Sequence, residues 1–199
     1  MNNILVYDVE SNGKALNFKA PMTDLNNWPR ITQLAWRVYA RDSTLIKENQ
    51  SLIKPDGWTI PVEEFFIENN MSTERCETDG FPIESVFRLF LADFSTCSVI
   101  VCHNTAFDKN VLGAELIRYK MAPEKKAYTW ICTMLSSVDF CQLPGRYGSF
   151  KWASLVELHQ ILFNKGFEGN HEALADVVAC GDCLFELIKR GVITLPQEL

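Results

Sequence analysis

The sequence predicts a mixed α/β sheet in which three antiparallel strands are followed by parallel ones, all flanked by helices. Three features predict it. Near the N-terminus, Asn3 to Val9 is an apolar run whose alternating sets, Ile4/Val6 and Leu5/Tyr7/Val9, are both hydrophobic. Such a strand is covered on both faces, as a central strand is. Ile31 to Ala40 and Thr44 to Lys54 then read as two strands joined by a turn at Arg41-Asp42-Ser43, an antiparallel hairpin. Beyond them, helical and strand-like segments alternate.

The later elements follow in order. Pro61 to Asn69 reads as a helix, with proline tolerated in its first turn. Pro82 to Phe94 repeats Ile83, Val86, Phe87, Phe90 and Leu91 at helical spacing. Ser98 to Cys102 is a fourth strand and Phe107 to Tyr119 a helix, followed by a short strand at Thr129 to Cys132 and a helical turn to about Val138. Gln142 to Phe150, with Pro144, Gly145 and Gly148, is a loop. Trp152 to Asn164 and Glu172 to Arg190 are the closing helices. No repeat, low-complexity segment or linker divides the chain, so residues 1–199 are expected to form one domain.

Composition narrows the function classes. The net charge of −6 argues against an architectural nucleic-acid binder, which neutralises many phosphates. It leaves room for an enzyme that grips a few nucleotides and concentrates acids where cations bind. The seven cysteines are an odd count at irregular spacing, unlike a secreted disulfide framework. Cys180-Gly181-Asp182-Cys183 lies in an apolar helical pattern and has no second pair, so free buried thiols are expected rather than a zinc or redox site. With no apolar span and no signal-peptide pattern, the expected location is the cytoplasm, with no membrane partner.

Chemistry concentrates in three short motifs. Asp8-Val9-Glu10 places two carboxylates on one face at the end of the first strand. Like charges so placed need water, donors or a cation, and Mg²⁺ or Mn²⁺ favours such oxygen ligands; a polar strand end entering a turn is the plainer alternative. In the second motif, Val99-Ile100-Val101-Cys102 ends in His103-Asn104 and delivers Asp108 to the start of a helix. Asp108 meets Asp8 and Glu10 if the two strands are parallel neighbours, because ligand sites in open α/β sheets lie at the carboxyl ends of strands. Equally, Asn104 could be a helix cap and Asp108 a first-turn acid. The third motif, His171-Glu172-Ala173-Leu174-Ala175-Asp176, puts an acid into an apolar helical stretch where an unpaired carboxylate is costly.

Together, DVE at 8–10, HNTAFD at 103–108 and HEALAD at 171–176 resemble the three motifs of the DEDDh 3′–5′ exonucleases. That family includes the proofreading epsilon subunit of bacterial DNA polymerase III, ribonuclease T and oligoribonuclease. The motifs occur in family order, and the H-x4-D spacing matches the branch that carries histidine in the third motif. The resemblance implies a ribonuclease H-like fold and removal of nucleoside 5′-monophosphates from the 3′ end of DNA or RNA. It further implies Asp8, Glu10, Asp108 and Asp176 as ligands of two divalent cations, Mg²⁺ or Mn²⁺, and His171 as the general base. Ser11 and Asn12 main-chain groups would hold the terminal nucleotide, with Asn104 and Phe107 shaping its surroundings. Many members carry threonine where this chain has Ser11, which keeps the hydroxyl and loses the methyl group. The expected partner is the 3′ end of a single strand or frayed duplex; a polymerase or a second copy of the chain is a partner class the family admits.

Neutral imidazole, with an ordinary pKa of about 6.5, suits proton removal from water. A non-catalytic binding module of the same fold is the main alternative; a two-carboxylate glycosidase would leave Asp108 and His171 without roles. Trp28, Trp58, Trp130, Tyr147 and Trp152 are available for base stacking, and Lys14, Lys125, Lys126, Arg146 and Lys151 for phosphate contact. Most of these are expected to be core or solvated surface. The segment Gly13 to Pro29 has no counterpart in this reading.

Overall fold

A computed structural model describes residues 3–197. Its centre is a five-stranded sheet in the order β3-β2-β1-β4-β5. Strands β1 (Asn3–Ser11), β2 (Ile31–Tyr39) and β3 (Leu45–Leu52) form the antiparallel part. The remaining two, β4 (Cys97–Cys102) and β5 (Thr129–Cys132), run parallel to β1. The expected three-plus-parallel arrangement is therefore present, and β1 is central, as its doubly apolar pattern required.

Alternate side chains of β1 feed two separate cores. Leu5, Tyr7 and Val9 pack with Phe87, Phe90 and Val111, which come from α3 (Ile83–Ser95) and α4 (Thr105–Arg118). Ile4 and Val6 pack on the other face with Leu158, Val177 and Leu184, from α7 (Leu155–Phe163) and α8 (Ala173–Lys189). Strand period two thus assigns each half of one apolar run to its own helical layer. Asp8 and Glu10 continue the Ile4/Val6 set, toward the α8 side of the sheet.

Several boundaries differ from the sequence-based expectation. The helix expected from Pro61 is only α1 (Glu64–Glu68), because Glu63 ahead of it is still extended. An unexpected helix, α2 (Thr73–Asp79), starts where the Ser72 hydroxyl accepts the Arg75 N–H at 3.1 Å. Its Ser-Thr-Glu opening is a capping signal that the weak apolar pattern obscured. The helix expected from Trp152 begins at Leu155, since Ser154 and Glu157 form a reciprocal capping box. The turn after β5 becomes two short helices, α5 (Thr133–Ser136) and α6 (Val138–Cys141). All seven cysteines are free; five are buried, whereas Cys132 and Cys141 are only half-buried.

The unassigned segment between β1 and β2 is packed against α4. Trp28 is buried and donates its indole N–H to the Pro21 carbonyl at 3.0 Å, which removes it as a stacking residue. Asn17 and Asn27 exchange hydrogen bonds at 2.7 and 3.0 Å. At the end of the segment, Arg30 Nε pairs with fully buried Glu115 at 2.6 Å, and Arg118 reaches the same carboxylate at 3.1 Å. Arg118 also caps the carbonyls of Leu25 and Trp28.

Removing one member of a buried ion pair strands the other, a loss of about 3 kcal/mol or more. Glu115→Ala is therefore expected to lower unfolding free energy by at least that amount in urea titrations; a change below about 1 kcal/mol would show that Arg30 and Arg118 are solvated without it.

Candidate active site

At the carboxyl ends of β1 and β4 the surface opens into a cleft of about 490 Å³. Asp8, Glu10, Asp108, His171 and Asp176 all line it, together with Asn104 and Phe107. The side chains arrive from three directions. Asp8 and Glu10 come from β1, Asp108 from the first turn of α4 after the β4 crossover, and Asp176 from the first turn of α8. Parallel pairing of β1 with β4 brings the first two motifs together, as the sequence required.

Backbone contacts hold the acids in place. Asp108 Oδ1 accepts the N–H of Val9, the residue between Asp8 and Glu10, at 3.4 Å. Asp176 Oδ2 accepts the His171 N–H at 3.0 Å, which ties the histidine loop to its own helix. His171 adopts a left-handed backbone, φ 71°, just after Gly169 at φ 79°. That conformation is uncommon for a residue with a side chain. The imidazole packs edge-on against Phe65 of α1, with ring centres 5.1 Å apart.

Electrostatics mark the cleft as short of positive charge. Burial and then the neighbouring carboxylates Asp8 and Asp176 push Glu10 up to about 9. Asp176 rises to about 7 through burial, partly offset by the His171 N–H. Asp8 is raised well above the ordinary range by burial and by Asp108 and Asp176, and Asp108 by burial. For His171, burial lowers the pKa, which favours neutral imidazole near pH 7.

The donor set suits a hard divalent cation. Glu10, His171 and Asp176 each bring one ligand atom to within 4.8 Å of the others, and Asp8 and Asp108 line the same cleft. Asp176 Oδ1 is buried without a hydrogen-bond partner among the described residues, an acceptor that a cation would satisfy. Oxygen-rich sites of this kind match Mg²⁺ or Mn²⁺.

The expected nucleotide-pocket residues have more varied settings. Asn104 takes a left-handed backbone, φ 73°, and its side chain makes no cap hydrogen bond, so the capping alternative fails there. Phe107 lies beside the cleft and packs against Phe18, with centroids 6.1 Å apart. A register shift follows Glu10, and the Ser11 hydroxyl donates to the Gly13 carbonyl at 2.8 Å. Asn12 is half-buried and tied to its neighbours. Its amide bonds Thr59 and Arg30 at 2.9 and 2.8 Å, and its N–H donates to Arg30.

Three supporting residues escaped the sequence reading. His103, read only as part of a motif, joins two walls of the cleft. Its Nε2 donates to the Ala153 carbonyl at 3.0 Å, so Nδ1 accepts the Thr133 hydroxyl at 2.9 Å. Burial drops its pKa to about 4, and it stays neutral. Gln33, paired in register with Glu10, accepts the Ala173 N–H at 2.9 Å and so caps α8 from the sheet. Phe65 had no distinguishing signal, since only the tertiary fold lays α1 over His171.

No protein-family model and no curated protein sequence matches the chain. Among solved structures, it is similar to Exonuclease I of E. coli in complex with a dT13 oligonucleotide, with a TM-score of 0.73 and 16% identity over 95% of this chain and 41% of that one. Exonuclease I from Methylocaldum szegediense, described as moderately thermophilic, matches with a TM-score of 0.73 and 19% identity over 96% of this chain and 41% of that one. A product-bound Exonuclease I matches at 0.71 and 14% identity, over 94% and 43% of the two chains. The chain spans about two fifths of the length of these structures. The five-stranded sheet and its helices thus share the fold of the matched part of Exonuclease I. No helix among the described residues is long and apolar enough to cross a membrane.

The raised carboxylates give a pH test. Their folded pKa values lie above the unfolded values of about 4, so the native state holds more protons and loses stability as pH rises. Metal-free protein is expected to show a falling Tm from pH 4 toward pH 9, the span between the unfolded values and that of Glu10. Added Mn²⁺ should raise Tm more at pH 8 than at pH 5. A Mn²⁺ effect equal at both pH values would mean that these acids do not bind the ion.

Proposed function

We propose that the chain is a metal-dependent 3′–5′ exonuclease that hydrolyses DNA or RNA from the 3′ end and releases nucleoside 5′-monophosphates. The observation that carries this reading is the meeting of Asp8, Glu10, Asp108, Asp176 and His171 in one cleft at the carboxyl end of the sheet. An exonuclease fold around that cleft supports it. Under this reading, Asp8, Glu10, Asp108 and Asp176 hold two divalent cations, Mg²⁺ or Mn²⁺. When bound, such ions neutralise charge on the phosphate and make water more acidic.

The chain's own residues supply the rest. Neutral His171 removes a proton from the attacking water as its oxygen bonds to phosphorus; the phosphorus–O3′ bond then breaks, the departing oxygen takes a proton from solvent to become the 3′ hydroxyl of the shortened strand, and the nucleoside 5′-monophosphate leaves. Phe65 limits the rotation of the imidazole, and the Asp176 carboxylate anchors the His171 main chain. Asn104 and Phe107 flank the space for the terminal nucleotide, while Ser11 and Asn12 line the adjoining hollow on the far side of Glu10.

The test is digestion of 5′-labelled single- and double-stranded DNA and RNA with Mg²⁺ or Mn²⁺. A ladder shortened from the 3′ end, abolished by EDTA, is expected. Asp8→Asn and Asp108→Asn should lose nearly all turnover while retaining the fold. His171→Ala should lose about 10²- to 10⁴-fold, the usual contribution of a general base. Binding without cleavage under either metal would leave a non-catalytic nucleic-acid module, and wild-type turnover in Asp108→Asn would remove the carboxylate assignment.

A further inference from the structure

Between α6 and α7 the chain forms a small hairpin. Pro144 bridges Phe150 in antiparallel fashion, the Gly145 N–H donates to the Ser149 carbonyl at 2.8 Å, and the Lys151 N–H donates to Leu143 at 2.9 Å. Gly145 is required by this closeness, because a Cβ there would stand 2.6 Å from the Ser149 oxygen. Tyr147 forms the tip with a left-handed backbone, φ 57°, followed by Gly148 at φ 78°. Tyr147 at the tip is four residues from either side of the Leu143–Lys151 rung.

This hairpin presents aromatic rings beside cationic side chains. Tyr147 is fully exposed, Trp152 63% exposed and Phe150 43% exposed. Large rings are normally buried, and an ordered element presenting three of them to water has no packing reason to do so. Residues 142–152 also include Arg146 and Lys151 but no acid, in a chain whose net charge is −6. Lys151 pairs with Glu157 at 2.5 Å, whereas Arg146 has no ion pair among the described residues. Aromatic rings interleaved with cations are how proteins hold single strands without reading their sequence.

The hairpin is joined directly to the cleft. Ala153, the residue after Trp152, accepts the His103 bond, and Ala153 to Val156 line the cleft wall. A strand whose terminal nucleotide occupies the cleft can therefore continue onto the hairpin. Stacking there requires an open base face, which a paired base does not offer.

We propose that residues 143–152 are a stacking platform for unpaired nucleotides upstream of the one being removed, with Tyr147 and Trp152 as the stacking rings and Arg146 facing the backbone phosphate. The proposal deepens the nuclease reading and rests on it. It adds, to the nucleotide held in the cleft, a contact for unpaired nucleotides further upstream.

Two measurements test it separately from catalysis. In the first, fluorescein-labelled twelve-nucleotide oligo(dT) and oligo(U) are titrated by anisotropy with Ca²⁺ as the added metal. Tyr147→Ala and Trp152→Ala should each weaken binding about 5-fold or more, and Tyr147→Phe and Trp152→Phe should restore it. A blunt duplex of the same length should be little affected. In the second, hydrolysis of the p-nitrophenyl ester of thymidine 5′-monophosphate, which has no upstream base, is the reference against which the loss on oligonucleotides is read. The platform is overturned by unchanged oligonucleotide binding in both alanine variants, by equal weakening of the duplex, or by an equal loss on the ester. If the wild-type chain hydrolyses neither the oligonucleotides nor the ester, the nuclease reading falls, and the anisotropy series still decides the platform.

Discussion

Four carboxyl groups share one cleft at the end of the central strand, and their repulsion in a poorly hydrated setting is the constraint on which the site depends. Each is driven toward its protonated form by burial, and Asp8 and Glu10 further by their neighbours. A fold holds such a cluster only where surrounding packing outweighs its cost or where a cation compensates it. Here the packing is substantial. β1 is covered on both faces by separate hydrophobic layers, and the acids lie where both layers end.

The cluster is also braced by neutral hydrogen bonds rather than by arginine or lysine partners. Val9 N–H holds Asp108, His171 N–H holds Asp176, and Gln33 caps the helix that carries Asp176. His103, kept neutral by burial, joins the β4 end to the wall that leads into the hairpin. A deeply buried cation–carboxylate network, Arg30 and Arg118 on Glu115, stabilises the segment after β1. Positive charge is thus used in the scaffold, and no arginine or lysine lines the cleft among the described residues.

Much of this was legible in the chain. The doubly apolar run predicted a central strand, and its two spare polar positions identified Asp8 and Glu10. Helical spacing located α3, α4, α7 and α8 to within a few residues. What failed locally did so for identifiable reasons: α1 and α2 are too short to show a period, and the starts of α7 and α4 were decided by a capping box and by a left-handed Asn104. Trp28 looked like a stacking candidate and is core, whereas Tyr147 and Trp152 are exposed; side-chain type is the same in both settings, and only burial separates them.

By itself the sequence placed Asp8 and Glu10 on one strand face and Asp108 and Asp176 at helix starts, because these positions follow from local geometry alone. It likewise determined the order of the strands and of the longer helices α3, α4, α7 and α8, through hydrophobic period. Only the tertiary structure decided that motifs about a hundred and seventy residues apart in the chain line one cleft. The same is true of Phe65 beside His171, Gln33 on α8 and the hairpin at the cleft wall. Those relations arise from strand pairing and helix docking between distant segments, and neither leaves a periodic signal in the chain.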